Sequence, residues 1–428
     1  MDRYPDLTDL DLFAAGFPHA IFTRLRREAP VWLHPPTAHT PGGEGFWVLS
    51  RYAEIAAVAQ DAASFSSESG GDREGGGTIL EDLPRGFAAG VLLNMMDEPR
   101  HRHIRRLATP AVGVRALAGM EDELRTRCVA IVDEALAREV CDFVIDVAAE
   151  LPLQAIARLL GVPQADRHRL FGWATAMLDY GDRELGEQSA ASQAAAAALH
   201  QYGVALIEEK RRHPCDDMLS AVVHGQVPGP TGVPGPLTDL EVTMFFNLLV
   251  AAGSETTRNA VALGVGALAA DPSAWRLLVA QPDLVPTAVE EILRWSSSTP
   301  YNRRTATRDV ELGDATIRAG DKVSLWWASA NRDEAVFAEP FRFDVRRAPN
   351  PHLAFGHGAH FCLGAGLARL EMRVVLETLL DRVTAVEPTG PLVWTRSNKH
   401  TGLKRMPVRL HPRVQMASKP GRSTPGLP

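Results

Sequence analysis

The sequence predicts a mainly α-helical protein with a minor β component. Three observations carry that reading. A proline-free stretch of helical composition runs from Thr238 to Ala270. Amphipathic or alanine-rich segments with the 3.6-residue period recur through the first half of the chain. Segments with the two-residue alternation of strands are few and short.

The first strand signal is Gly45 to Ser50. Ser69 to Gly77 holds no large apolar residue, so it reads as a mobile loop that buries no core. It is expected to act as a lid, moving with a helix pair around Asp179 to Ser189. Pro99 to Ala118 is an arginine-rich helix. Glu121 to Arg138 is the next, with Leu124, Cys128, Ile131, Val132 and Ala135 on one face. Leu151 to Leu160 is apolar and stops at Gly161, with Pro163 beyond. Arg167 to Tyr180 and Ser189 to Arg212 follow, the second built on alanine, the strongest helix former. Gly225 to Pro236 is a Pro/Gly-rich loop between helices. Thr238 followed by Glu241 has the pattern of a capping box. The helix it starts is about 45 Å long at 1.5 Å per residue, enough to cross the molecule. Its middle, Phe245 to Ala252, reads as apolar all round, so it is expected to be central and buried. Asp271-Pro272 ends it. Val310 to Val323 alternates weakly around Gly313-Asp314, and Leu392 to Arg409 suggests a final hairpin.

With 428 residues, 45 % of them hydrophobic, the chain can bury a large core. No compositional break divides it, so residues 1–410 are expected to form a single domain and 411–428 a disordered tail. A net charge of −7 gives no basic nucleic-acid footprint. Four cysteines do not make a disulfide framework, and no export signal or membrane span is evident. The expectation is a cytoplasmic protein with reduced thiols.

The sharpest segment is Phe355-Gly356-His357-Gly358-Ala359-His360-Phe361-Cys362-Leu363-Gly364, followed by a helix from Ala365 to Leu380. A cysteine at a helix start has its thiolate favoured by backbone N–H groups and the helix dipole. Glycines around it let a flat ligand approach the backbone. That suits an axial thiolate on haem iron. On these residues alone, three other readings stand. The cysteine could be a small buried hydrophobe, a zinc ligand beside His357 and His360, or a nucleophile paired with His360.

Taken with segments elsewhere, the chain resembles the cytochrome P-450 superfamily, the haem-thiolate monooxygenases. Phe355-x-x-Gly358-x-x-x-Cys362-x-Gly364 is similar to its haem-binding signature, and Glu291-Ile292-Leu293-Arg294 to its Glu-x-x-Arg motif. Ala252-Gly253-Ser254-Glu255-Thr256-Thr257 is similar to its oxygen-activation motif. Asn331-Arg332-Asp333, Pro340-Phe341-Arg342-Phe343 and His101-x-x-x-Arg105 also match, in the family's order. The resemblance spans roughly residues 10 to 410.

It implies the P-450 fold, a triangular prism with a long central helix over the haem. It implies haem b, iron protoporphyrin IX, with Cys362 as the axial ligand and Phe355, Gly358 and Gly364 around it. His101, Arg105, Arg304 and His360 are the implied propionate partners. Glu291 and Arg294 form a buried network with Arg342. Gly253 breaks the central helix with a water-binding groove, Thr256 hydrogen-bonds the activated oxygen, and Glu255 feeds a proton relay. Electrons from NAD(P)H are expected through a separate ferredoxin reductase and ferredoxin. The docking surface would be Arg342, Arg346, Arg347, Arg369 and Arg373, set against Asp344 and Glu371. The protein is expected to be a monomer without a membrane anchor.

The resemblance implies hydroxylation or epoxidation of a hydrophobic small molecule with O2. Tailoring of a secondary metabolite (polyketide, terpenoid or peptide) ranks first, because the polar run Ser298 to Asn302 suggests an oxygenated substrate. Oxidation of a steroid or branched lipid is the alternative. A non-catalytic helper homologue would lack the cysteine. Trp326-Trp327 reads as strand packing.

Overall fold

The computed structural model describes residues 4–38, 40–178, 189–229 and 231–413. The helix from Asp239 to Ala270 is the axis of the molecule. Its start is a complete capping box: Thr238 accepts from the Glu241 backbone N–H, and the Glu241 carboxylate accepts from the Thr238 N–H. Packed around it are helices Glu150–Leu159, Arg167–Leu178, Ala190–Arg212, Val285–Ser296 and Ala365–Arg382. One continuous apolar core joins their inner faces. A helix buried on most sides needs apolar residues around its whole girth, which this one supplies.

The helix has no break at Gly253. A Cβ there would lie 2.8 Å from Ile156 Cδ1, so glycine is needed for close packing onto the 150–159 helix. The middle is also not apolar all round: Asn247 interrupts it.

Beside this helical body lies a five-stranded sheet, in the order 31–34, 46–49, 322–325, 302–306, 65–66. The 322–325 strand runs parallel to 46–49, with Val323 opposite Trp47, and the other pairs are antiparallel. Two smaller apolar clusters flank the sheet. Trp326 is fully buried in one, against Phe13, Phe22 and Tyr301, as strand packing implied.

The arginine-rich helix ends at Ala108, and a short turn through Pro110 separates it from one long helix, Val114–Leu136. The reason is local: proline has no N–H to donate and clashes with the preceding turn. The expected face of that next helix is buried. In the C-terminal region 393–394 pairs with 403–405, but 407–412 joins 383–388 and 141–142 instead of closing a hairpin. Ordered strand therefore runs to Pro412, past the expected end of the domain.

Ser69 to Gly77 is not a loose loop. Gly75 and Gly76 are buried and pair with Leu83 and Pro84. Arg73 Nε donates to Asp82 at 2.8 Å and its Nη1 to the Gly320 carbonyl at 2.7 Å. Asp82 also takes Arg303 at 2.6 Å and Lys322 at 3.0 Å. Buried ion pairs replace the apolar packing the segment lacks. The helix pair expected to move with it falls mostly on residues 179–188, outside the described residues.

Candidate functional site

A cavity of about 950 Å³ lies between the central helix, the sheet and the cysteine loop. Phe355, His360, Cys362 and Gly364 line one wall, with His101, Arg105 and Arg304 beside them. Thr256 and Thr257 enter from the central helix.

The cysteine loop is held from both ends. Cys362 N–H donates to the Phe355 carbonyl at 2.9 Å. Gly358 has φ +73°, and a Cβ there would sit 2.3 Å from the Ala59 carbonyl oxygen, so only glycine lets the loop lie on the 52–60 helix. Phe355 packs under the Arg369 guanidinium at 4.7 Å. Gly364 has open space where a Cβ would be, on the cavity side. Cys362 is exposed to this cavity. Burial pushes its thiol up, against the Gly364 N–H and the charge of Arg105.

Four basic side chains gather at one end. The His101 and His360 rings lie 4.1 Å apart. Burial, reinforced by Arg304, His101 and Arg105, pushes His360 down to about 2. Burial pushes Arg304 down to about 10. Two carboxylates are near. Glu98 bonds His101 at 3.2 Å, and Asp97 is engaged by Ser66 and Ser67. Burial disfavours the charged form of both histidines, so the cations here are the Arg105 and Arg304 guanidiniums. Among the described residues neither is ion-paired, an arrangement that is costly until a ligand brings negative charge. Haem fits this observation: its two propionates are the missing anions, and the open flank of Gly364 admits a flat ring. Among the described residues no cluster of three His, Cys, Asp or Glu could hold a metal ion, which removes the zinc reading.

Thr256 Oγ1 donates back to the Ala252 carbonyl at 3.0 Å. Glu255 is fully buried, accepts from Thr175 Oγ1 at 3.3 Å, and points away from the cavity wall. Arg258 does not pair with it in the manner of a surface ion pair; it bonds Asn259 and covers Phe171.

Glu291 and Arg294 are fully buried and bonded twice. Two further side chains donate to Glu291: Arg347 Nε at 3.1 Å and Asn350 Nδ2 at 3.2 Å. Arg342, expected there, gives only its carbonyl; its side chain is solvent-facing on Glu339. The expected basic patch is also reduced. Arg346, Arg347, Arg369 and Arg373 pair with Asp344, Glu291, Glu290 and Glu121 respectively.

Sequence reasoning missed three wall residues. Glu371, counted as surface charge, is buried on the cavity, and burial raises its carboxyl to about 8 against a hydrogen bond from Thr257. The available signal was its place in the helix that follows the cysteine loop, among Leu367, Leu370 and Met372. Trp327 donates to Asn302 Oδ1 at 2.9 Å. Asn247, a lone amide in an apolar run, was visible and overlooked.

Comparison with known proteins agrees. The family model described as Cytochrome P450 matches residues 279–403. A Mycobacterium tuberculosis protein assigned as cytochrome P450 126 is 49% identical over 406 residues, 95% of this chain and 97% of its own. A methyl-branched lipid omega-hydroxylase of the same organism is 39% identical, covering 90% of both chains. A steroid C26-monooxygenase of Rhodococcus jostii is 36% identical over 94% of this chain and 84% of its own. The solved structure of Mycobacterium marinum cytochrome P450 CYP268A2 with pseudoionone superposes with a TM-score of 0.86 at 35% identity, covering 96% of this chain and 99% of that one. With relatives this similar along nearly the whole length, the chain belongs to the cytochrome P450 family, the haem-thiolate monooxygenases.

Proposed function

We propose that the cavity holds haem b with Cys362 as its axial ligand, and that the protein oxidises an elongated apolar molecule of the lipid or steroid class. The observation that carries the reading is the pair of guanidiniums without ion-pair partners among the described residues, Arg105 and Arg304, beside the imidazole donors His101 and His360, on the same cavity as Cys362. Those four take the propionates. Phe355, Gly358 and Gly364 shape the surface under the ring. Bound haem supplies the iron at which dioxygen is activated. Thr256 holds a hydroxyl proton at the cavity wall, and Glu255 moves protons towards it from the side of Thr175.

The substrate class rests on the names of the lipid and steroid relatives and on an apolar wall that includes Leu92, Leu93, Ile156, Leu248 and Leu249. Natural-product tailoring has less support, since of the polar run only Ser298 and Thr299 are left to face the cavity without a protein partner. Within the polar run, Tyr301 is bonded to the Leu80 N–H and Asn302 to Trp327. Electrons would come from NAD(P)H through a ferredoxin reductase and a ferredoxin. Exposed Phe361 lies in the cysteine loop, and the start of the 114–136 helix, with exposed Val114 and Arg115, packs by Leu117 near Gly366 just after that loop, a surface suited to an acidic partner. Among the described residues no helix is long and apolar enough to cross a membrane.

The reduced carbon-monoxide difference spectrum tests this reading. The purified protein should show the thiolate-type Soret band, and Cys362→Ala should abolish it. A band that persists unshifted in that variant removes Cys362 from the role.

A further inference from the structure

Between Val242 and Gly253 the central helix carries two polar side chains. Thr243 spends its hydroxyl on the Asp239 carbonyl at 2.8 Å. The other, Asn247, lines the cavity. Its Nδ2 has a 3.9 Å contact with the Met244 sulfur, and its Oδ1 is shielded from solvent with no hydrogen-bond partner among the described residues. Its chain neighbours on that wall, Met244, Leu248 and Leu249, offer no donor. A buried carbonyl oxygen left unpaired is costly, so this position is tuned to something that brings a donor.

Asn247 precedes Thr256 by nine positions on one continuous helix, an axial offset of about 13 Å. The amide is therefore far from the oxygen-handling end of the cavity.

We propose that Asn247 reads a hydrogen-bond-donating head group of the substrate, so that the preferred substrate is an amphipathic chain oxidised roughly ten carbons from that head. The proposal rests on the monooxygenase reading above and specifies its substrate. An apolar tail alone would fill the leucine-lined wall but leave the amide oxygen bare. A head that cannot donate would be rejected for the same reason. Two other unpartnered hydroxyls on the cavity, Thr78 Oγ1 and Ser298 Oγ, sit on the sheet side and are the rival head-group positions.

The test compares 1-dodecanol with its isomer methyl undecyl ether, which accepts a hydrogen bond but donates none. Both are titrated into the haem-loaded protein by calorimetry. The parent should bind the alcohol about 10-fold more tightly. Asn247→Leu and, in case leucine perturbs the helix, Asn247→Ala should bring the ratio to within about 2-fold while keeping affinity for the ether. Hydroxylation of the alcohol should fall near the chain end remote from its hydroxyl. Three results overturn the proposal: no preference in the parent, a ratio unchanged in both variants, or a preference abolished by Thr78→Val or Ser298→Ala instead. A protein with the thiolate-type carbonyl band but no alcohol preference keeps the monooxygenase reading and loses this one; a protein without the band loses the reading beneath both.

Discussion

Arg294 grips Glu291 with two parallel hydrogen bonds, Nε to Oε2 at 2.8 Å and Nη2 to Oε1 at 2.7 Å, and both side chains are fully buried. Nη1 of the same guanidinium reaches the carbonyls of Asn331 and Pro340, each at 2.9 Å. One helix turn thereby fixes the long loop that leads to the cysteine. A buried pair of this kind is stabilising only when every donor and acceptor is satisfied.

Arg347 completes that set, and Arg342 does not. Arg347→Ala removes a donor from Glu291 and three bonds to the Ala338, Glu339 and Arg342 carbonyls. It should cost about 2–4 kcal/mol. Arg342→Ala, whose side chain is more than half exposed, should stay within about 0.5 kcal/mol. Denaturant unfolding of the haem-loaded proteins measures both, and equal losses would refute the assignment.

Haem retention should depend on the buried cations. Arg304 is fully enclosed, so its removal cannot be replaced by water as on a surface. Arg304→Ala should release haem to an acceptor protein about 10-fold faster, and Arg304→Lys should restore part of the difference. Unaltered release from the alanine variant would place the propionates elsewhere.

Thr256→Ala should leave haem content and substrate binding nearly intact, because among the described residues its hydroxyl bonds only the Ala252 carbonyl. Reducing equivalents should still be consumed through a surrogate ferredoxin, with more of them recovered as hydrogen peroxide. Glu255→Gln should instead slow turnover by about 10²-fold or more. Product per electron equal to the parent in Thr256→Ala would move the proton path away from this residue.

Glu371 makes stability depend on pH in an unusual direction. Its folded pKa, raised to about 8 by burial, exceeds the ordinary glutamate value of 4.5. The folded state therefore holds a proton that the unfolded chain gives up, and stability falls as pH rises from about 4.5 to about 8. Glu371→Gln, which cannot ionise, should flatten the thermal midpoint across that window and gain most over the parent near pH 8. Parallel midpoint curves would show that the carboxyl is charged in the fold.

Helix existence was legible wherever period and capping agreed, as at Thr238–Glu241 and along the Leu124–Ala135 face. The site was legible because Cys362, Thr256 and Arg294 sit in compact motifs. What stayed hidden depends on distant partners. Whether Arg342 or Arg347 reaches Glu291 is decided by how the chain turns after Pro340, which no local period encodes. Ser69 to Gly77 looked loose because its stabilising charges, Asp82, Arg303 and Lys322, lie outside it. Glu371 looked solvated because a carboxylate within a helix normally is.

The pairing of the 46–49 strand with 322–325 sets the order of events on the ribosome. Trp47 Nε1 hydrogen-bonds Asp321 at 2.8 Å across 274 positions of sequence. At roughly 5–20 residues per second, the early strand waits on the order of 15–50 s for its parallel neighbour to be synthesised. Only its antiparallel pairing with 31–34 can form beforehand, and a lone two-stranded ribbon is marginal in water. The helices 150–159, 167–178 and 190–212, which pack on the 239–270 helix and are all made before residue 322, can condense while that ribbon still presents an open edge. A nascent chain arrested before Asn302 would carry that edge permanently, making premature termination a source of aggregates rather than of shortened, soluble protein.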